Sequence, residues 1–351
     1  MEVKKILVIR FRQIGDSILA TALCNSLKSS FPNAEVHFVI NSGIAPLYKD
    51  HPSIDRLITF SKEENKTFLK YISKVWRTVH NEKYDIIIDM RSTIRTLLFS
   101  LFSLSTPWRI GKKKGYTYPV LNCSVDNDNS SLNLDMVKRD LMFLEPLEKG
   151  YDIKYRSDFS LFIKDEENER YRRYMKDEGI DFDKPVVLVG VTTKILTKRW
   201  NIEFMKQVIE RIIKNYPEIQ LVFNYAKGEE EMQAREMFKQ LSSPERVKID
   251  IKASSLLELV ALCNNSSFYF GNEGGARHMI QAMGVPSFSI FSPKISKAIW
   301  LPINSVPAEG IEVSDIIKEK TDRDKHSYQD LFDAISVDEV WNRLVPHLDR
   351  L

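Results

Sequence analysis

Apolar residues come in short blocks along this chain, and most blocks are followed by a longer stretch with helical spacing. The first block, Ile6-Leu7-Val8-Ile9, sits between charges, so residues 4–10 are expected as a strand buried on both faces. Gly15-Asp16-Ser17 then opens a stretch in which Ile18, Leu19, Ala22, Leu23 and Leu27 recur as one face of a helix. Pro32-Asn33 breaks the chain before a second strand at 35–40. A third strand fits 56–60, a polar helix 63–80, a fourth strand 84–89, and a helix runs from about 92 to 104.

The pattern weakens between 112 and 131, where Gly, Lys, Asn, Asp and Ser accumulate, and this stretch reads as a long irregular loop. A helix fits 132–144, and another falls within the charged run 164–183. The alternation then restarts with strands at 185–191, 220–225, 247–251, 267–271 and 287–291. Helices fit between them at 201–215, 229–241, 255–264 and 275–283. Strands alternating with helices argue for parallel sheets with right-handed crossovers, and no short period recurs that would mark a solenoid. Two open α/β domains are the economical arrangement, with ligands at the carboxyl ends of the strands and a cleft where the domains face each other. The expected division is an N-terminal domain over 1–164, a second domain over 165–325 and a helical tail over 326–351.

Composition narrows the function classes. A chain of 351 residues supplies two cores without a disulfide or metal staple. Fifty-one Lys and Arg against 48 Asp and Glu leave +3, not the excess of a general nucleic-acid binder, so no nucleic-acid partner is expected. Forty-three per cent hydrophobic and 28% charged residues exclude wholesale disorder. Cys24, Cys123 and Cys263 are widely spaced and form no C-x-x-C pair, so three reduced thiols and no metal site are expected. Residues 6–9 are too short for a signal-peptide core, and the run at 96–105 is about half a bilayer-spanning helix. A cytoplasmic protein follows, with any membrane contact peripheral.

Four strand-to-helix junctions carry unusual content. Gln13-Ile14-Gly15-Asp16-Ser17 follows the first strand, and there Asp16 either caps its helix or presents a carboxylate available as a general base. Gly190-Val191-Thr192-Thr193-Lys194 and then Lys198-Arg199-Trp200 form either a solvated basic loop over a packed Trp200 or a phosphate site built from hydroxyls, amides and Lys. Glu229-Glu230-Glu231 either offsets a helix dipole or accepts hydrogen bonds from ribose hydroxyls. Gly274-Gly275 before Ala276-Arg277-His278 allows an anion to approach bare amides. Neither a dinucleotide fingerprint nor a Walker A loop is present.

Several stretches resemble the ADP-heptose:lipopolysaccharide heptosyltransferase family, glycosyltransferase family 9. ILVIRFRQIGDSILATALCNSLKSSFPNAEV resembles its opening, and YDIIIDMRSTIRTLLFSLFS followed by WRIG its middle. TTKILTKRWNIEFMKQVIERI and FYFGNEGGARHMIQAMGVPSFSIFSP resemble its two donor blocks. The resemblance implies a GT-B fold, two Rossmann-like domains with parallel sheets facing across a cleft. It also implies inverting transfer of heptose from ADP-heptose to a lipopolysaccharide-core or related glycan acceptor, with the ADP-sugar as co-substrate and no metal or other cofactor. By position, Asp16 would be the base, and Thr192, Thr193 and Lys198 would hold the diphosphate. One of Glu229, Glu230 and Glu231, with Glu230 preferred and the uniformly acidic loop leaving the choice open, would bind ribose; His278 with Gly274 and Gly275 would close on the diphosphate, and Arg91 and Arg95 would lie on the acceptor side.

The chain departs from the family at Glu273-Gly274-Gly275, where Asp-[Ser/Thr]-Gly is usual, which moves a carboxylate by about a methylene and removes a hydroxyl. Backbone amides can substitute for that hydroxyl. Two other functions share the architecture, a nucleotide-sugar epimerase and a non-catalytic sugar-nucleotide binding protein. Arg91, Arg95, Arg109 and Lys112-Lys113-Lys114 are either ordinary solvated charge or a surface for an anionic glycolipid acceptor at the inner membrane face.

Overall fold

Buried β-branched runs become the central strands of two parallel sheets. The computed structural model describes residues 2–11, 13–128 and 133–351. The chain divides into two compact units, Met1–Phe162 and Ile163–Leu351.

The first unit is built on β1 (Lys5–Ile9), β2 (Glu35–Asn41), β3 (Arg56–Phe60), β4 (Ile86–Asp89), β5 (Trp108–Lys112) and β6 (Cys123–Val125). They pair in parallel in the order β3-β2-β1-β4-β5-β6. Every residue of β4 and all but Lys5 of β1 are buried, which is why these strands read as unbroken apolar runs. Strand order reverses between β1 and β4, so their carboxyl ends frame the crevice in which such sheets bind ligands.

Local chemistry breaks the helices more often than periodicity alone predicts. The helix after β1 is two, α1 (Ile14–Leu19) and α2 (Thr21–Ser30). The helix expected over 63–80 splits into α3 (Lys62–Lys66) and α4 (Phe68–Glu82) at Thr67, whose extended backbone ends one and starts the other. The helix expected from 92 is only α5 (Leu97–Leu101), because Ser92 is left-handed (φ 46°). The stretch read as an irregular loop contains the edge strand β6. Three residues with a single buried apolar position are too short to register as a pattern. The helix expected over 132–144 begins outside the described residues; within them α6 (Met136–Leu141) runs into a 3-10 helix over Met142–Lys149.

The second unit repeats the plan with β7 (Val186–Gly190), β8 (Gln220–Phe223), β9 (Val247–Lys248), β10 (Phe268–Asn272), β11 (Ser287–Ile290) and β12 (Ala308–Ile311). All are parallel, in the order β12-β11-β10-β7-β8-β9. Counted from its own first strand this is the order of the first unit, and the reversal falls between β7 and β10. The crossovers are α8 (Ile202–Asn215), α9 (Glu229–Lys239), α10 (Leu256–Asn264) and α11 (Gly275–Ala282), preceded by the amphipathic α7 (Asp165–Asp177). Residues expected as a tail pack into this core: the helix Val337–Leu348 contributes Val340, Leu344 and Leu348 beside Met205, Ile209 and Ile212 of α8. No helix among the described residues is long and apolar enough to cross a membrane.

Candidate functional site

In the first unit the β1 strand delivers Arg10 and Asp16 to the crevice. Asp16 does not cap α1: the cap position is Gln13, without a side-chain bond, and Asp16 lies in the first turn. Its carboxylate oxygen Oδ1 meets the Arg10 Nη2 at 3.4 Å, and the same nitrogen donates to Asp140 Oδ2 at 3.3 Å. All three groups are buried. A guanidinium held between two carboxylates fixes the direction in which each points. Arg10 and Asp140 escaped the sequence reading because they are 130 residues apart and only the fold pairs them.

Across the reversal, Asp89 ends β4 and its Oδ1 accepts from the amides of Arg91 (3.0 Å) and Ser92 (2.8 Å). Burial raises the pKa of Asp89, opposed by those amide bonds. The bonds shape the turn that carries the two candidate arginines in different directions. Arg91 Nη1 donates to the Phe11 carbonyl, on the loop leading to Asp16. Arg95 Nη1 donates to the Asn65 carbonyl at 2.5 Å, toward α3. Arg91 is thus tied to the loop before Asp16, and Arg95 to the end of α3.

In the second unit the loops after β7 and β10 are sewn together by a residue that the sequence reading passed over. Asn272 Nδ2 donates to the carbonyls of Gly190 (3.0 Å) and Val191 (3.3 Å), while its Oδ1 accepts from the Trp200 amide at 2.8 Å. Beneath it the strands touch glycine to glycine. A Cβ on Gly271 (φ +150°) would lie 2.5 to 2.7 Å from Gly190 backbone atoms. Trp200 fills the core below, its Nε1 donating to the Ile335 carbonyl at 2.9 Å.

This frame brings Lys198 to Glu273: Nζ lies 2.9 Å from Oε2, with the carboxylate nearly fully buried and the lysine partly exposed. Glu273 stands just before Gly274 and Gly275, where α11 begins with amides that have no partner inside the helix. Gly274 is extended (φ 171°), and a Cβ there would meet nothing within 4 Å, so its missing side chain leaves open space. The three acids at the head of α9 separate by partner. Glu230 Oε2 accepts from the Thr192 hydroxyl at 3.1 Å, whereas Glu231 pairs with Lys252 and Arg235, and Glu229 accepts from Gln233. Thr193 bonds within its own loop, to the Ile195 amide and carbonyl.

His278 is buried in the first turn of α11 with Arg277 Nη2 2.6 Å from its Nδ1. Burial first, then Arg277 and Lys198, hold its pKa well below the ordinary histidine range, so the ring is neutral. The positive charge here belongs instead to Arg277, whose pKa burial lowers to about 10. Its guanidinium also donates to Gln281 Oε1 (2.7 Å) and the Trp300 carbonyl (2.5 Å). Cavities of about 450 and 390 Å³ lie elsewhere, between β3 and α4 and beside α8, and several of the charges lining the first are paired to one another. No cluster of three His, Cys, Asp or Glu with metal-holding geometry occurs among the described residues.

Two parallel sheets of one strand order thus carry charged loops at their reversal points, joined in the second unit by the paired glycines Gly274 and Gly275. Residues 72–325 match the model of glycosyltransferase family 9 (heptosyltransferase). The chain belongs to glycosyltransferase family 9. As a member of that family it is a glycosyltransferase enzyme. It is 20% identical to lipopolysaccharide heptosyltransferase 1 of Campylobacter coli, over 88% of this chain and 91% of that protein. It is also 20% identical to lipopolysaccharide heptosyltransferase 3 of Escherichia coli K12, over 83% of each. Among solved structures, a family 9 glycosyl transferase from Veillonella parvula superposes over 100% of this chain and 99% of its own, with a TM-score of 0.82 and 20% identity. ADP-heptose lps heptosyltransferase II of E. coli superposes over 99% of each chain with a TM-score of 0.73 and 17% identity. The fold class is therefore GT-B, as the strand pattern and the resemblance implied.

Proposed function

We propose that this family 9 enzyme transfers heptose from ADP-heptose, with inversion at the anomeric carbon, to a lipopolysaccharide-core or related glycan acceptor. The observation that carries the reading is the Lys198–Glu273 pair at the bare N-terminus of α11, with Thr192 and Glu230 bonded beside it. An ammonium, free amides and an outward-open Gly274 suit a diphosphate, and a carboxylate one loop away suits a ribose diol. The names of the curated relatives support heptose and a lipopolysaccharide acceptor.

In this reading the acceptor hydroxyl attacks the anomeric carbon as the carbon–oxygen bond to the diphosphate breaks. Asp16, oriented by Arg10, takes the hydroxyl proton, and Arg91 and Arg95 serve the acceptor side. Lys198 exchanges Glu273 for the diphosphate as ADP departs, and Thr192, Thr193, Gly274 and Gly275 complete the cradle. Neutral His278 contributes packing and a hydrogen bond rather than charge, while buried Arg277 adds to the positive field. The charge on departing ADP is met by Lys198 and backbone amides, so the reading assigns no further cofactor.

The test is acceptor-dependent ADP release across ADP-, GDP- and UDP-sugars, with the anomeric configuration of the product read by NMR. Stabilisation by ADP-heptose above the other donors, and a product inverted at the anomeric carbon, are expected. Preference for a UDP- or GDP-sugar would sink the donor assignment, and a retained configuration would sink the mechanism.

A further inference from the structure

The loop between β7 and α8 carries Thr192, Thr193 and Lys198, yet little of it is held by burial. Ile195 and Leu196 are each 53% exposed. Its backbone bonds are local: the Lys198 amide donates to the Ile195 carbonyl (2.8 Å) and the Arg199 amide to that of Leu196 (3.0 Å). A loop with its apolar residues in water and only short-range bonds does little by itself to fix where Lys198 stands. The hold comes from the far end of the chain. There the Tyr328 hydroxyl donates to the Thr197 carbonyl. Trp200 Nε1 donates to the Ile335 carbonyl, and Asn201 Nδ2 to Asp333 Oδ1 at 3.3 Å, which fastens the foot of the loop at the start of α8. Over residues 193–199, Tyr328 and Glu273 are the only residues outside the loop whose side chains bond to it among the described residues.

Tyr328 is itself fixed from three sides. It opens a helix, Tyr328–Asp333, whose start is closed by a reciprocal pair. The Ser327 hydroxyl accepts from the Asp330 amide (3.1 Å) and the Asp330 carboxylate from the Ser327 amide (3.2 Å). One turn on, Phe332 shares the helix face and is buried in the core with Trp200, its ring centre 6.3 Å from that of Tyr328. Lys294, in the loop after β11, places its ammonium 5.4 Å from the centre of the Tyr328 ring. A phenol held this way presents its hydroxyl at one place. The carbonyl it holds belongs to the planar peptide that leads into Lys198.

We propose that Tyr328 is a positioning residue of the donor site, fixing the 197–198 peptide so that the Lys198 ammonium stands at the N-terminus of α11. It acts through Lys198, so the inference rests on the reading that Lys198 meets the diphosphate. The bond to Thr197 lies at the surface, where water can replace it. Its loss should therefore cost little stability while freeing the loop.

The test is a double-mutant cycle read by calorimetric ADP titration, with Tyr328→Phe, Lys198→Ala and both together. Tyr328→Phe should melt within about 3 °C of the parent and weaken ADP about 3- to 10-fold, the worth of one ordinary hydrogen bond. The donor KM should rise by the same factor with the acceptor KM unchanged. On the Lys198→Ala background the same change should alter ADP affinity less than about twofold, because no ammonium is left to position. Hydrogen exchange supplies a readout without nucleotide: the Lys198 and Arg199 amides should exchange about 3- to 10-fold faster in Tyr328→Phe, with the β7 amides unchanged. Unchanged loop exchange, or an equal loss of ADP affinity with and without Lys198, would overturn the inference. A larger melting loss in Tyr328→Phe would also overturn it, assigning the tyrosine to the fold alone. Unchanged ADP affinity in Lys198→Ala would sink the donor reading and this inference with it, whereas a loss there beside a silent Tyr328→Phe would sink this one alone.

Discussion

Replacing Lys198 by Ala should damage folding and nucleotide binding together, whereas Glu273→Gln should do neither. At 2.9 Å the pair attracts by about 6 kcal/mol for an effective dielectric near 20. Much of that is offset by desolvation, and the lysine side chain remains 26% exposed. Truncating one partner of a buried pair costs about 3–5 kcal/mol because the other charge stays buried. The field of Arg277 on Glu273 recovers part of this, so Lys198→Ala should cost the second unit about 2–3 kcal/mol. For a unit of this size that lowers the melting temperature by roughly 5–10 °C. Glu273→Gln leaves a lysine that can reach water, and should change stability by no more than about 1 kcal/mol. On that background Lys198→Ala should be nearly silent, giving a coupling of about 2 kcal/mol in the cycle. Calorimetric ADP titration supplies the functional half: Lys198→Ala should weaken ADP about 10- to 100-fold, the worth of a charge-assisted bond. Glu273→Gln should keep or tighten ADP binding, since no carboxylate then competes for the ammonium. Equal melting losses for the two single variants would refute the electrostatic account, and unchanged ADP affinity in Lys198→Ala would refute the donor role.

Other substitutions separate chemistry from scaffold. Asp16→Asn should reduce turnover about 10²–10⁴-fold while leaving ADP affinity intact, as isothermal titration beside a steady-state assay would check. Gly271→Ala should unfold the second unit or cost more than about 4 kcal/mol, because its Cβ would enter the Gly190 backbone at a positive φ. Gly274→Ser, with open space and extended backbone, should melt within about 0.5 kcal/mol of the parent in the same scan. The buried His51 has its pKa lowered to about 4 by burial, against about 6.5 when unfolded, so the unfolded chain binds the extra proton between those values. Stability is thus complete above about pH 6.5 and falls by about 3 kcal/mol as pH drops toward 4. Denaturant melts at stepped pH should show this slope flattened in His51→Asn.

Much of the fold was legible because its central strands are buried on both faces and leave continuous apolar runs in the sequence. The runs at Ile6–Ile9 and Ile86–Ile88 could only be central strands, and their alternation with amphipathic helices left a parallel sheet as the simplest solution. The edge strands β6 and β12 were not legible, since each is short and buries little. Backbone conformation at single residues, such as extended Thr67 and left-handed Ser92, cut helices where periodicity continued unbroken.

For the site, the sequence by itself determined which loops carry chemistry: the Gly-Asp turn after β1, the Thr-Thr and Lys-Arg-Trp loop after β7, the acidic head of α9 and the paired glycines before α11. Only the tertiary structure decided the pairings. It joined Arg10 to Asp140, set Lys198 on Glu273, chose Glu230 over its two neighbours as the partner of Thr192, and made Asn272 the tie between loops. The physical reason is range. Hydrophobic periodicity and turn chemistry act over a few residues and are written in order along the chain, whereas hydrogen bonds and ion pairs act over a few ångströms between residues that parallel crossovers bring together from 38 to 130 positions apart.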